Sequence, residues 1–236
     1  MARRRVKSKF RFAVFLIVAL ALLALGANGL LGTLANLAGM LEKELVRKPP
    51  QEKRVTVAID PGHGGELPGA HYYGVLEKDI NLSVSLKVEK LLKDKGYGVL
   101  MTRTDDTDVS LERRVAMANA SDARLFVSVH ANALENDTAT NGILSYYYHD
   151  DDASLALADL LTQCAGEKTG AGRMDSRWED LYVVRHVQMP AALIEMGFMT
   201  NEAECAKLAG DTYQDQLAAG IVSAIEEYIN TYVIEG

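Results

Sequence analysis

The chain reads as an α/β protein built on a largely parallel sheet. Three observations predict this. Apolar, β-branched runs of strand length alternate with helix-length segments of 3.6-residue period. Gly, Pro and Asp mark the junctions. Residues 54–236 are also long enough to bury one sizeable core.

The elements follow in order. Residues 54–60 (RVTVAID) read as a buried strand stopped by Pro61 and Gly62. Ile80, Val84, Val88 and Leu91 recur at helical spacing, with acids in the first turn and Lys93 to Gly96 as a stop. Tyr97 to Met101 reads as a strand, and Ser110 caps a helix running through Ala120. Residues 124–129 (RLFVSV) form a strand ending at His130, and residues 190–194 (PAALI) form one ending at Glu195. Tyr146 to Tyr148 fit a further strand, while residues 153–164 and 213–228 fit packing helices. Strand, helix, strand, helix, strand is the order of a parallel sheet, and such sheets bind ligands beyond the carboxyl ends of their strands.

The first 41 residues form a separate unit. Six basic side chains, from Arg3 to Arg11, precede an uncharged stretch from Phe12 to Leu41. That stretch exceeds the roughly 20 residues needed to cross a bilayer. The basic end predicts a cytoplasmic start and an extracytoplasmic remainder at the cell membrane. A cleaved signal is the competing reading, with Phe12 to Leu25 as its apolar region and Ala24 to Ala27 as a weak cleavage site. The apolar character continues past that site and favours an anchor. Residues 42–53, charged and containing Pro49-Pro50, read as a linker. Residues 54–236 form the catalytic domain.

Charge bounds the partners. The chain carries −7 in total, but residues 55–236 hold 14 basic against 29 acidic side chains, a net of −15. This argues against nucleic acid as a partner. Cys164 and Cys205 lack CxxC spacing and read as two buried thiols.

His63, His130 and Glu195 would all lie on the rim beyond the strand ends. Two histidines and one carboxylate can hold Zn²⁺ and leave a coordination position for water, the arrangement of hydrolytic zinc sites. The acidic ligand has two candidates. Glu66 forms an HxxE pair with His63, a spacing used by zinc carboxypeptidases. Glu77 opens a helix, where a carboxylate is favoured electrostatically and held rigidly. Glu195 ends an apolar run, where an unpaired carboxylate is costly. It is therefore the candidate base, with a salt bridge to Arg103 or Arg185 as its structural alternative. Asp60 and Asn132 read as groups orienting the histidines, with a turn or cap role as the equal alternative. Arg185 and Asn132 are the candidates for holding substrate, with a surface salt bridge as the equal alternative for Arg185. His71, His149 and His186 read as surface residues.

DPGHGG, LEKDINL, MTR, SLERRVAMAN, LFVSVHANA and LYVVRHVQMPAALIEMGFMTN occur in this order. Together they resemble the zinc-dependent N-acetylmuramoyl-L-alanine amidases of the Amidase_3 type, over about residues 55–231. The resemblance implies peptidoglycan as substrate and a mixed six-stranded sheet flanked by helices. It places zinc on His63, Glu77 and His130, with Glu195 as the catalytic glutamate. Leu67 departs from the pattern, since family members often carry Asp there. The stretch between His130 and Glu195 has no room for the autoinhibitory helical insert of division amidases that need an activator protein. A single domain behind an N-terminal anchor is similar to the sporulation amidases of spore cortex. Three rivals remain: a zinc peptidase acting on stem peptides, a wall-binding module with a relic site, and a structural membrane partner using the anchor and linker.

Overall fold

The computed structural model describes residues 55–148 and 151–233. The predicted anchor and linker lie outside the described residues, as does His149. No helix among the described residues is long and apolar enough to cross a membrane.

The central sheet has six strands: β1 (Thr56–Pro61), β4 (Gly98–Met101), β5 (Ala123–Asn132), β6 (Leu144–Tyr147), β7 (Arg177–Trp178) and β8 (Ala191–Phe198). Their order across the sheet is β4-β1-β5-β8-β6-β7. β4, β1, β5 and β8 run parallel to their neighbours, and β6 reverses against β8. β7 runs parallel to β6. The sheet is thus mixed, with its parallel part at the chemically marked strands. A small antiparallel hairpin, β2 (His71–Tyr72) and β3 (Val75–Leu76), stands apart from it.

Helices cover both faces. Helix α1 (Glu77–Asp94), α3 (Asp152–Thr169), α5 (Glu202–Leu208) and α6 (Asp211–Tyr228) contribute to one large core. Helix α2 (Leu111–Asn119) and the short α4 (Tyr182–His186) contribute to a smaller core on the opposite face. A π-helical turn (Ile229–Val233) continues α6.

Strand parity explains this partition. In β5, Leu125, Val127, Val129 and Ala131 enter the large core, whereas Phe126 enters the small one. In β8, Ala192, Ile194 and Met196 face the large core, and Ala191 and Leu193 the small one. Side chains alternate along a strand, so His130 and Glu195 both belong to the small-core face. They are direct register partners.

Two boundaries differ from expectation. β5 and β8 do not end at His130 and Glu195 but continue to Asn132 and Phe198. Pairing persists because the register shifts beyond His130, with Asn132 opposite Phe198. On α1 the fully buried stripe is Ile80, Val84, Val88 and Leu92, while Leu91 is only partly buried. From Val88, the step of four to Leu92 turns about 40° around the helix, less than the roughly 60° of the step of three to Leu91. Ser110 caps α2 as expected, its hydroxyl accepting from Arg113 N at 3.3 Å. Cys164 and Cys205 are free, buried thiols.

Glu204 ties α5 to the sheet just past the register shift. Its carboxylate accepts from Phe198 N at 2.7 Å and from Gly142 N at 2.9 Å. Burial raises its pKa, and the two backbone donors oppose that rise. Replacing Glu204 by Ala leaves both N–H groups without that partner, at about 1–3 kcal/mol for each orphaned donor. Urea unfolding should show a loss of at least about 2 kcal/mol. A loss below about half that would mean the strands hold this edge without Glu204.

Candidate metal centre

The residues after β1 form a tight loop around His63. Gly62 is required there by proximity: a Cβ on it would stand 2.2 Å from His130 Cε1 and Nε2. His63 itself adopts the left-handed conformation, with φ +59°. Strain of this kind in a non-glycine residue costs about 1–3 kcal/mol and clusters at functional sites.

Glu77 is the first residue of α1 and is 5 % exposed. His63 Nε2 lies 3.1 Å and His130 Nδ1 2.9 Å from its Oε1. The three donor atoms offered by His63, Glu77 and His130 all lie within 4.8 Å of one another. The two rings meet edge to face, 4.9 Å between centroids.

Further contacts fix the carboxylate. Ala70 N donates to Oε2 at 2.8 Å, Asn81 Nδ2 to Oε1 at 3.1 Å and Ala131 N to Oε1 at 3.3 Å. A Cβ on Gly69 would reach within 2.3 Å of Glu77 Oε2, so the strap leading to β2 passes directly over it. Burial pushes the Glu77 pKa up, but hydrogen bonds from His130 and His63, aided by their charge, outweigh it. The carboxyl is held far below its ordinary value. Glu66, the alternative ligand, is exposed and outside the cluster.

Glu195 occupies the opposite electrostatic setting. Its pKa is raised well above the ordinary value, first by burial and then by the charge of Glu77. Its Oε2 is buried without a hydrogen-bond partner. Neither arginine offered as its structural partner takes that role. Arg103 bonds backbone carbonyls, and Arg185 pairs with Asp180 at 2.8 Å.

Asp60 hydrogen-bonds neither histidine ring. Its Oδ1 accepts from Thr102 Oγ1 at 2.6 Å and Arg114 Nη1 at 2.7 Å, and its Oδ2 from Ser128 Oγ at 2.7 Å. Its carboxylate is held by Thr102 just past β4, by Ser128 of β5 and by Arg114 of α2. Asn132 caps the end of β5, its Oδ1 accepting from Ala133 N at 2.8 Å. It also hydrogen-bonds Tyr146. Arg185 is exposed on α4 and lies 5.6 Å from the Tyr148 ring centroid. His71 and His186 are exposed, as expected.

Two residues near the site escaped the sequence reading. Asn81 lies one turn beyond Glu77, and that i,i+4 spacing was the available signal. Tyr146 senses Glu195: its pKa is raised first by burial and then by that carboxylate's charge. The tyrosine run carries no mark of which ring faces the glutamate. A cavity of about 110 Å³ opens beside the histidines, lined by His63, Leu67, Val109, Leu111, His130 and Val183 among others.

Two imidazoles and one carboxylate, held together on rigid elements, match the donor set of catalytic zinc. The partnerless buried oxygen of Glu195 supplies a second group suited to a polar occupant.

Comparison with known proteins adds the family. The sequence profile described as N-acetylmuramoyl-L-alanine amidase (Amidase_3) matches residues 57–227. The probable cell wall amidase LytH of Staphylococcus aureus is 35% identical over 198 residues, which cover 83% of this chain and 65% of LytH. An N-acetylmuramoyl-L-alanine amidase from Clostridium difficile 630 superposes with a TM-score of 0.74 at 37% identity, over 77% of this chain and 100% of that one. The CwlD amidase of Clostridioides difficile, solved in complex with the GerS lipoprotein, gives a TM-score of 0.72 at 31% identity, over 75% and 99%.

Two outcomes follow from the geometry. Gly62→Ala drives a methyl group into the His130 ring and should weaken zinc binding about 10- to 100-fold, as read by metal titration. Unchanged binding would mean that the ring is free to move. The second concerns Glu195 in the metal-free protein. A carboxyl whose folded pKa is raised costs no stability below the unfolded value of 4.5 and costs progressively more as pH rises toward the folded value. Glu195→Gln should therefore melt like wild type at low pH and increasingly above it as pH rises past that value. Melting curves that stay parallel across pH would contradict the raised pKa of the buried Glu195.

Proposed function

The chain belongs to the Amidase_3 family of N-acetylmuramoyl-L-alanine amidases, and from that membership we propose that His63, Glu77 and His130 hold one zinc ion while Glu195 moves the proton. The reaction is hydrolysis of the amide between N-acetylmuramic acid and the L-alanine of the peptidoglycan stem. When bound, zinc supplies Lewis acidity that acidifies water and polarises the carbonyl.

The observation that carries the reading is the pairing of two carboxylates with opposite environments. Glu77 is held ionised by two imidazoles, and Glu195 is held protonatable by burial. Such divergence separates a ligand from an acid–base group. Glu195 takes the proton of the attacking water and returns it to the L-alanine nitrogen. The amide C–N bond breaks, leaving a lactyl carboxylate and a free amine. Asn132, beside Tyr146, holds the substrate near the end of β5. Arg185, on the helix whose Val183 lines the cavity, receives a stem carboxylate in exchange for Asp180.

The basic, apolar N-terminal sequence supports anchorage in the cell membrane, with the catalytic domain on the extracytoplasmic side. The same architecture supports a role in spore-cortex maturation. The likeness to CwlD, a protein solved with a lipoprotein, supports a lipoprotein as partner.

The decisive experiment digests purified peptidoglycan with the full chain and identifies the released ends by mass spectrometry. Free stems beginning with L-alanine should appear, vanish on chelation and return with zinc. Glu195→Ala should keep one bound zinc yet lose about 100- to 10,000-fold in rate. Shortened stems still joined to muramic acid would instead identify a peptidase. Near-normal turnover in the Glu195 variant would remove its assigned role.

A further inference from the structure

Two arginines with no contact to the predicted ligand atoms enclose the backbone that carries them. Arg114 is 3 % exposed and Arg103 4 %. Arg114 donates from Nη1 to Pro61 O at 2.6 Å and from Nη2 to His63 O at 2.7 Å. Arg103 donates from Nε to Pro61 O at 3.0 Å and from Nη2 to Gly62 O at 2.8 Å. The carbonyls of three consecutive residues, Pro61 to His63, are therefore all held by guanidinium groups.

The same groups reach the other two ligand-bearing elements. Arg103 Nη2 also donates to Lys78 O at 2.9 Å, in the first turn of α1 and next to Glu77. Arg114 Nη1 bonds Asp60, whose other oxygen accepts from Ser128 Oγ, two residues before His130 on β5. One fork thus joins the His63 loop to the start of the Glu77 helix. The other joins that loop, through Asp60, to the His130 strand.

This arrangement is costly as plain scaffolding. Burial lowers the Arg103 pKa, and the nearby charge of Arg114 lowers it further. Asp60 is the carboxylate bonded directly to Arg114. The loop so held contains His63 in its left-handed conformation, a state that persists only where the surroundings over-determine it.

We propose that Arg103 and Arg114 are positioning residues that set metal affinity by fixing the relative placement of His63, Glu77 and His130. This rests on the zinc reading of those three residues. The planar, five-donor fork is essential to the role. A lysine keeps the charge but presents a single ammonium, which cannot span carbonyls on two elements in fixed geometry.

The test uses the full chain with Arg103→Lys and Arg114→Lys. Zinc affinity is measured by competition with a chromophoric chelator, and folding of the metal-free form by circular dichroism. The ligand field is read from the visible spectrum after cobalt substitution. The expected result is a loss of zinc affinity of about tenfold or more, with an altered cobalt spectrum and a metal-free melting temperature close to wild type. Unchanged affinity and spectrum in both variants overturn the proposal. Failure of both variants to fold without metal also overturns it, because the arginines would then be general supports. A wild-type chain that takes up no zinc overturns the zinc reading itself, and this proposal with it.

Discussion

The ionised carboxylate of Glu77 is the interaction on which the site depends. It sits at the first position of α1, nearly buried, where an unpaired charge would be expensive. Two imidazoles converge on its Oε1, where Asn81 Nδ2 and Ala131 N also donate, and Ala70 N donates to Oε2. Those donors come from the strap after Gly69, from α1 itself and from β5. The helix N-terminus adds its own favourable field. Removing any one contact would leave charge to be compensated by the others. The strap, the helix start and the strand end are therefore bound to a common geometry by one side chain.

Glu195 shows the converse use of burial. It lies on β8 directly beside His130 in register, yet none of the groups that stabilise Glu77 reaches its Oε2. The charge that acts on it is that of Glu77, a like charge. Two glutamates of the same sheet rim are thus driven in opposite directions by hydrogen bonding in one case and desolvation in the other. This division needs no difference in residue type, only in the donors that each backbone context supplies.

Much of this was legible in the sequence, for identifiable reasons. The runs at 57–60, 125–129 and 191–194 are buried on both faces, so their apolar character is continuous and their strand state plain. The residues leaned to Glu77 over Glu66 without settling it, because a helix start is rigid and a Gly/Pro loop is not. The reversal of β6 was not legible from the residues, since a tyrosine run carries no direction. Strands of two residues, such as β2, β3 and β7, are too short for a period. The partners of Asp60 stayed open between a histidine and the turn, because a carboxylate near a histidine in sequence need not face it in space. The roles of Arg103 and Arg114 were hidden more deeply. Their acceptors are mainly backbone carbonyls, which every residue has, so no sequence pattern records them.

The two faces of the sheet divide the work unequally, and this places the site. The large core beneath α1, α3 and α6 is continuous and apolar. The smaller core under α2 and α4 covers Ala58, Phe126 and Leu193 but does not extend along the whole strands. Side-chain alternation sends His130 and Glu195 to this shorter face, where the cavity opens beside His130, Val109 and Val183. A one-residue slip of β5 or β8 would turn the corresponding group into the large core instead. Close packing of that core, far from any substrate, is therefore what holds the register that faces the histidine and the glutamate toward the reaction.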